Sequence, residues 1–324
     1  MRVVVIGAGG IGGLYGGLLA RAGHDVGFLA RGKHLEAIQE RGLEVRSADF
    51  GTFVVQAPAS ADPADLGQPE LVIFAVKTYD LDPAAQVAQR LLGPDASLLT
   101  FQNGLDAPDR VAAIVGQPHV LLGTTGLETT ILEPGVIGHL TPGHYVTISE
   151  LTGPPTPRVE RTFETFRGAG INVSIAPDGH RALWEKAWLL IPMATITTVC
   201  RAPIGPIREM PETAALIETL LDEVTAVARA YGFDLPEARD RAHAWIFDRA
   251  PAAMKASMAR DFERGTRTEL EALTGALVRM ADARGLDVPA SRAAYAILKL
   301  REQPDVENLE TNGLIPVGHA ANKR

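Results

Sequence analysis

The chain has 324 residues, more than one hydrophobic core usually serves, so two domains are expected. With 46% hydrophobic and 22% charged residues it has an ordinary globular make-up, and a formal net charge of -8 argues against nucleic acid or an anionic membrane as main partner, because both demand a basic surface. The single cysteine, Cys200, excludes an intramolecular disulfide, offers no metal cluster and suits a reducing cytoplasm, where it reads as a small buried apolar residue.

The first residues, Arg2-Val-Val-Val-Ile6, read as a buried strand running into Gly7-Ala8-Gly9-Gly10-Ile11-Gly12 and then an alanine- and leucine-rich helix. This is the layout of a dinucleotide-binding turn: the chain turns tightly at Gly7, a pyrophosphate approaches bare backbone at Gly9, and Gly12 lets helix pack on strand. The first amides of the helix would face that anion. A second strand over residues 25–30 completes a βαβ unit, which raises the reading above an ordinary glycine turn. No secretory signal is expected, since the chain enters its first strand at once.

The tip of the second strand, Leu29-Ala30-Arg31-Gly32-Lys33-His34, carries no carboxylate to bind ribose hydroxyls. Arg31 can grip a 2′-phosphate with its planar fork and Lys33 can add charge, so NADPH/NADP+ fits better than NAD. The plain alternative is a pair of solvated basic side chains.

Strand-like runs continue at residues 71–76, 97–101 and 120–124, alternating with helical segments. They predict a Rossmann-type, doubly wound α/β sheet covered on both faces. Residues 135–149 should extend this sheet with antiparallel strands, followed by a helix at 157–167 and a last strand at 172–176. From Arg181 the periodicity is helical, at 181–199, 210–231, 236–248, 267–284 and 290–301, so the second domain, residues 179–324, is expected to be all-helical. The apolar run 187–200, broken by Pro192, is too short for a membrane span of about 20 residues. Ligand should lie at the carboxyl ends of the parallel strands, where the helical domain can close over a nicotinamide.

Several residues could carry chemistry there. Lys77 ends one strand, and Gln102-Asn103-Gly104 ends the next, although Asn-Gly is also common turn chemistry. Lys186 stands between Trp184 and Trp188, where desolvation would lower its pKa and suit it to donate a proton to a carbonyl oxygen; a snorkelling lysine is the plain alternative. Ser257 and Glu269 would lie on different faces of an unbroken helix, so both serve one ligand only if the chain breaks between them, which Gly265 permits. Taken alone, Glu269 reads as a solvated helix residue.

In order, the glycine turn, Arg31, Val76-Lys77, Gln102-Asn103-Gly104, Pro134-Gly135, Trp184-x-Lys186, Ser257-Met258 and Thr268-Glu269 resemble the ketopantoate reductase (2-dehydropantoate 2-reductase) family over essentially the whole chain. The resemblance implies NADPH-dependent reduction of a 2-oxo acid to a 2-hydroxy acid, with ketopantoate to pantoate, as in pantothenate biosynthesis, the leading reaction. It implies Lys186 as general acid and Glu269 as a catalytic positioning group. Gly7 to Gly12, Arg31, Lys77 and Asn103 would bind cofactor, and Asn103, Lys186, Ser257 and Glu269 would bind substrate. The chain departs from the family where asparagines usually follow the lysine: Leu190, Ala194 and Ile204 occupy those places, and Thr195, Thr197 and Thr198 compensate only if they turn inward. A more apolar 2-oxo acid, a related dehydrogenase acting on another hydroxy acid or amino-acid-like substrate, or a non-catalytic NADPH-binding regulator are the alternatives. The helical half could supply a homodimer interface, though no feature of the chain marks one.

Overall fold

The computed structural model describes residues 1–303, and the chain divides inside one helix into two compact units, Met1–Lys186 and the residues from Ala187 onward. In the first unit β1 (Arg2–Ile6), α1 (Gly10–Arg21), β2 (Asp25–Leu29), α2 (Gly32–Arg41), β3 (Leu43–Ser47), β4 (Gly51–Val55), β5 (Ala59–Ser60), β6 (Leu71–Phe74) and α3 (Leu81–Leu91) follow in turn. They are succeeded by β7 (Ser97–Thr100), α4 (Ala107–Val115), β8 (Val120–Gly126), β9 (Thr129–Glu133), β10 (Val136–His139), β11 (Tyr145–Glu150), α5 (Pro157–Gly168) and β12 (Val173–Ile175).

Eight strands form one sheet in the order β12-β11-β8-β7-β6-β1-β2-β5. From β8 to β5 every pairing is parallel, as the wholly buried runs Leu71-Val-Ile-Phe74 and Ser97-Leu-Leu-Thr100 require of strands covered on both faces. The strand order reverses between β1 and β6, so the carboxyl ends of these two strands flank a switch point, where a crevice opens above an α/β sheet.

A second sheet, β4-β3-β10-β9, differs from the expected single extension. Of the stretch 135–149 only β11 joins the main sheet, antiparallel to β8, whereas β10 pairs parallel with β3 and antiparallel with β9. Helix α1 explains why a second sheet forms. A Cβ on Gly16 would lie 2.6 Å from the Phe28 ring and 2.7 Å from Val5 of the main sheet. On Gly13 it would lie 2.7 Å from Ile137, and on Gly17 3.1 Å from Val45, both in the second sheet. Glycine costs a helix interior about 1 kcal/mol per residue relative to alanine, and close packing of sheets on two faces of α1 offsets it.

Helix α6 (Gly179–Val199) begins where the Asp178 carboxylate accepts the Arg181 N–H at 2.8 Å, and it continues past Pro192. Beyond Lys186 the second unit is helical throughout the described residues: α7 (Ile204–Glu209), α8 (Pro211–Ala230), α9 (Pro236–Ala244) with a wider turn Trp245–Arg249, α10 (Ser257–Glu263), α11 (Thr274–Asp282) and α12 (Pro289–Arg301). Buried Ile217, Leu220, Leu221, Val224, Val227 and Ala228 give α8 its core stripe. The Glu223 carboxylate, only 7% exposed, accepts the Ala290 and Ser291 N–H groups at 2.7 and 2.8 Å and so satisfies the first turn of α12. No described helix is long and apolar enough to cross a membrane.

Candidate active site

The carboxyl end of β1 meets a groove of about 540 Å³ lined by Gly7, Ala8, Gly9, Arg31, Lys77 and Asp80 among others. Gly7 has φ +97°, and a Cβ there would stand 2.7 Å from the backbone N of Val76, so the turn presses against the chain leaving β6. At Gly12 a Cβ would lie 2.2 Å from the Gly7 carbonyl oxygen. At Gly9 it would meet nothing within 4 Å, so this backbone stands open to an approaching group. The first turn of α1 has neither a side-chain cap nor an acidic residue, which leaves its positive end to an anion from outside the chain.

Gly7, Ala8, Gly9, Arg31 and Lys77 therefore line one cavity although they come from three strand ends. Lys33 is exposed on the first turn of α2. One expectation needs correction: the tip of β2 does meet a carboxylate. It comes from Asp80, in the turn after Lys77, whose Oδ2 accepts from Arg31 Nη2 at 2.8 Å. The residues of β2 give no sign of it, because the partner lies 49 residues away in sequence.

The fold gives His34 a definite task that its local sequence does not signal. Its Nδ1 accepts the Gly135 N–H at 3.0 Å, so Nε2 carries the proton and donates to the Ala8 carbonyl at 2.8 Å. The ring ties the glycine turn to the loop before β10. Burial pushes its pKa below the ordinary value, opposed by the hydrogen bond to Ala8.

At the end of β7, Gln102 is 6% exposed and donates through Nε2 to the Phe74 and Val76 carbonyls at 2.8 and 3.1 Å, fixing the stretch that delivers Lys77. Its neighbour Asn103 accepts from Lys186 Nζ at 2.9 Å through Oδ1. An amide at a strand end thus holds the ammonium of a helix residue 83 positions later, at the sheet edge where Gly7 and Lys77 also emerge. The lysine is half-buried rather than snorkelling freely.

In the second unit Ser257 opens α10, and Gly265, with φ +63°, lies past its end. The helix expected from residue 267 starts only at Thr274, since residues 266–269 are irregular. There the Thr268 hydroxyl accepts the Leu270 N–H at 3.2 Å and donates to the Glu302 carboxylate, bonds that compete with helix formation. Glu269 is 5% exposed, so it is not the solvated helix residue its local sequence suggests. The hydroxyls of the threonines after Pro192 have partners within the helical unit. Thr197 and Thr198 donate to the Met193 and Ala194 carbonyls at 2.6 and 2.5 Å, and Thr195 pairs with Thr274 at 2.8 Å. Cys200 is half-buried, with its thiol pKa raised by burial, which disfavours the reactive thiolate. Among the described residues no cluster of three or more His, Cys, Asp or Glu could hold a metal.

Comparison with known proteins identifies the family of the chain. The family model for "Ketopantoate reductase PanE/ApbA" matches residues 3–153, and that for its C-terminal part matches residues 178–302. The chain belongs to the ketopantoate reductase family. It is thereby placed in a family of oxidoreductases. A 2-dehydropantoate 2-reductase of Halobacterium salinarum is 32% identical over 94% of this chain and 99% of its own length. An uncharacterized oxidoreductase of Bacillus subtilis, YkpB, is 30% identical over 93% of this chain and 99% of its own. The crystal structure of a PanE/ApbA family ketopantoate reductase from Ralstonia eutropha superposes with a TM-score of 0.86 at 32% identity, covering 95% of this chain and 100% of that one. A D-mandelate dehydrogenase structure shares the fold, with a TM-score of 0.86 at 20% identity over 95% of this chain and 100% of that one.

Proposed function

We propose that this protein reduces a 2-oxo acid to a 2-hydroxy acid with a nicotinamide cofactor, NADPH in preference to NADH, and that ketopantoate is the first substrate to test. The observation that carries the reading is the Lys186 ammonium held 2.9 Å from the Asn103 amide oxygen, at the sheet edge that also bears the glycine turn and Lys77. The groove fits a dinucleotide. It combines an uncapped helix start, open backbone at Gly9 and a cationic side chain, Arg31, at the far strand tip.

When bound, the cofactor supplies a hydride. The chain does the rest. Gly9 and the first amides of α1 receive the pyrophosphate, Arg31 takes the 2′-phosphate and Lys77 holds the nicotinamide side. Asn103 orients the Lys186 Nζ. As negative charge develops on the substrate carbonyl oxygen, the Lys186 ammonium stabilises it and then donates the proton that makes the hydroxyl. For Glu269 and Ser257 we propose the roles implied by the family resemblance, Glu269 positioning substrate or lysine and Ser257 meeting the substrate carboxylate.

A second substrate reading rests on Leu190 and Ala194, aliphatic where the family usually has asparagine, with the nearby threonine hydroxyls engaged elsewhere. It favours a more apolar 2-oxo acid. NADPH oxidation across a panel of 2-oxo acids decides: turnover fastest with ketopantoate supports the first reading, and turnover with a bulky apolar acid but not ketopantoate supports the second. No turnover with any 2-oxo acid overturns both.

A further inference from the structure

We propose that Asp80 sets how sharply this groove distinguishes the phosphorylated from the unphosphorylated nicotinamide dinucleotide. The inference rests on the dinucleotide reading above and concerns only the adenosine end of the groove. An NAD site places a carboxylate near the tip of β2 to accept from the ribose hydroxyls, whereas an NADP site places an arginine there for the 2′-phosphate. This chain brings both to one rim: Arg31 from the end of β2 and Asp80 from the turn after β6, 2.8 Å apart and lining the same cavity.

Their exposure makes the pair exchangeable. The Arg31 side chain is 86% exposed and that of Asp80 35%. An ion pair so open to water is weak beside a guanidinium gripping a phosphate in two-point fashion. With a 2′-phosphate present, Arg31 turns to it, and the Asp80 carboxylate is left as an uncompensated like charge beside the phosphate. With a 2′-hydroxyl present, Arg31 stays with Asp80, whose carboxylate accepts from the ribose. Asp80 therefore works for NADH and against NADPH, and narrows a preference that Arg31 alone would make wide.

The test is direct binding, measured calorimetrically with NADPH and with NADH on the full-length protein without substrate. Asp80→Asn keeps the shape and removes the charge, and Asp80→Ser gives a second variant; thermal melting checks that each folds. The expected result in both is tighter NADPH and weaker NADH, with the affinity ratio shifted about tenfold toward NADPH, the scale of one hydrogen bond to a charged group. In an Arg31→Ala background the gain in NADPH affinity should shrink. An unchanged ratio overturns the proposal. So does weaker NADPH binding, which would mean that Asp80 merely holds Arg31 ready for the phosphate. If wild type binds neither nucleotide, the dinucleotide reading itself falls, and this inference with it.

Discussion

The glycine-lined groove of the first unit and the Ser257 to Glu269 segment of the second show two ways of placing polar groups. Around the groove, each group sits at the end of a regular strand, so Gly7, Lys77 and Asn103 emerge along one sheet edge because their strands are parallel neighbours. In the second unit no such frame exists. Glu269 lies buried in an irregular stretch after Gly265. A site built on strand ends is announced by the repeat that builds the sheet, whereas a site built on a broken helix is announced by nothing periodic.

Among the groups at the strand ends, Lys186, held by Asn103, should show the largest effect. Lys186→Ala should lower kcat by about 100-fold or more, the scale of lost general acid catalysis, while the NADPH Kd stays nearly constant. Steady-state oxidation rates beside fluorescence titration check this, and an unchanged kcat removes the lysine from its role.

Two glycines of the groove should then part company. Gly12→Ala pushes a Cβ to 2.2 Å from the Gly7 carbonyl, so melting should show a loss of about 1–3 kcal/mol, as overpacking usually costs. Gly9→Ala meets nothing within 4 Å and should leave the melting temperature alone while weakening NADPH binding. If both variants melt alike and bind alike, the cradle is wrongly drawn.

The second unit offers a change of similar size with no bearing on nucleotide. Glu223→Ala leaves the half-buried Ala290 and the buried Ser291 N–H groups without their carboxylate and should cost about 1–3 kcal/mol in urea unfolding, with NADPH affinity kept.

His34 gives the smallest effect. His34→Ala removes the tie between Ala8 and Gly135 and should weaken NADPH binding by about three- to tenfold, the worth of one or two neutral hydrogen bonds. Its pKa in the folded state lies below the ordinary 6.5, so the unfolded chain binds the proton first. Stability is therefore full above about pH 6.5 and falls as the pH drops through the lower folded value. His24, also depressed by burial, contributes in the same direction, so urea midpoints at pH 7.5 and 5.5 should converge in His34→Ala without becoming equal.

Much of the first unit was legible because runs such as Val3 to Ile6 are apolar at every position and demand cover on both faces. The second sheet was not. Leu43 and Val45 alternate with polar residues over only five positions, and the glycines of α1 that receive them look, in sequence, like an extension of the turn. The irregular chain before Thr274 was hidden by hydrophobic spacing that suits a helix, until the bonds of Thr268 drew its backbone elsewhere.

By itself, then, the sequence determined a parallel sheet with a glycine turn at its edge, followed by a helical half, because strand and helix periodicities and the φ > 0 demand at Gly7 are local properties. Only the tertiary structure decided which distant groups meet: Asp80 with Arg31, His34 with Ala8 and Gly135, Lys186 with Asn103. Those pairings depend on the register and order of strands far apart in the chain, and no local preference carries that information.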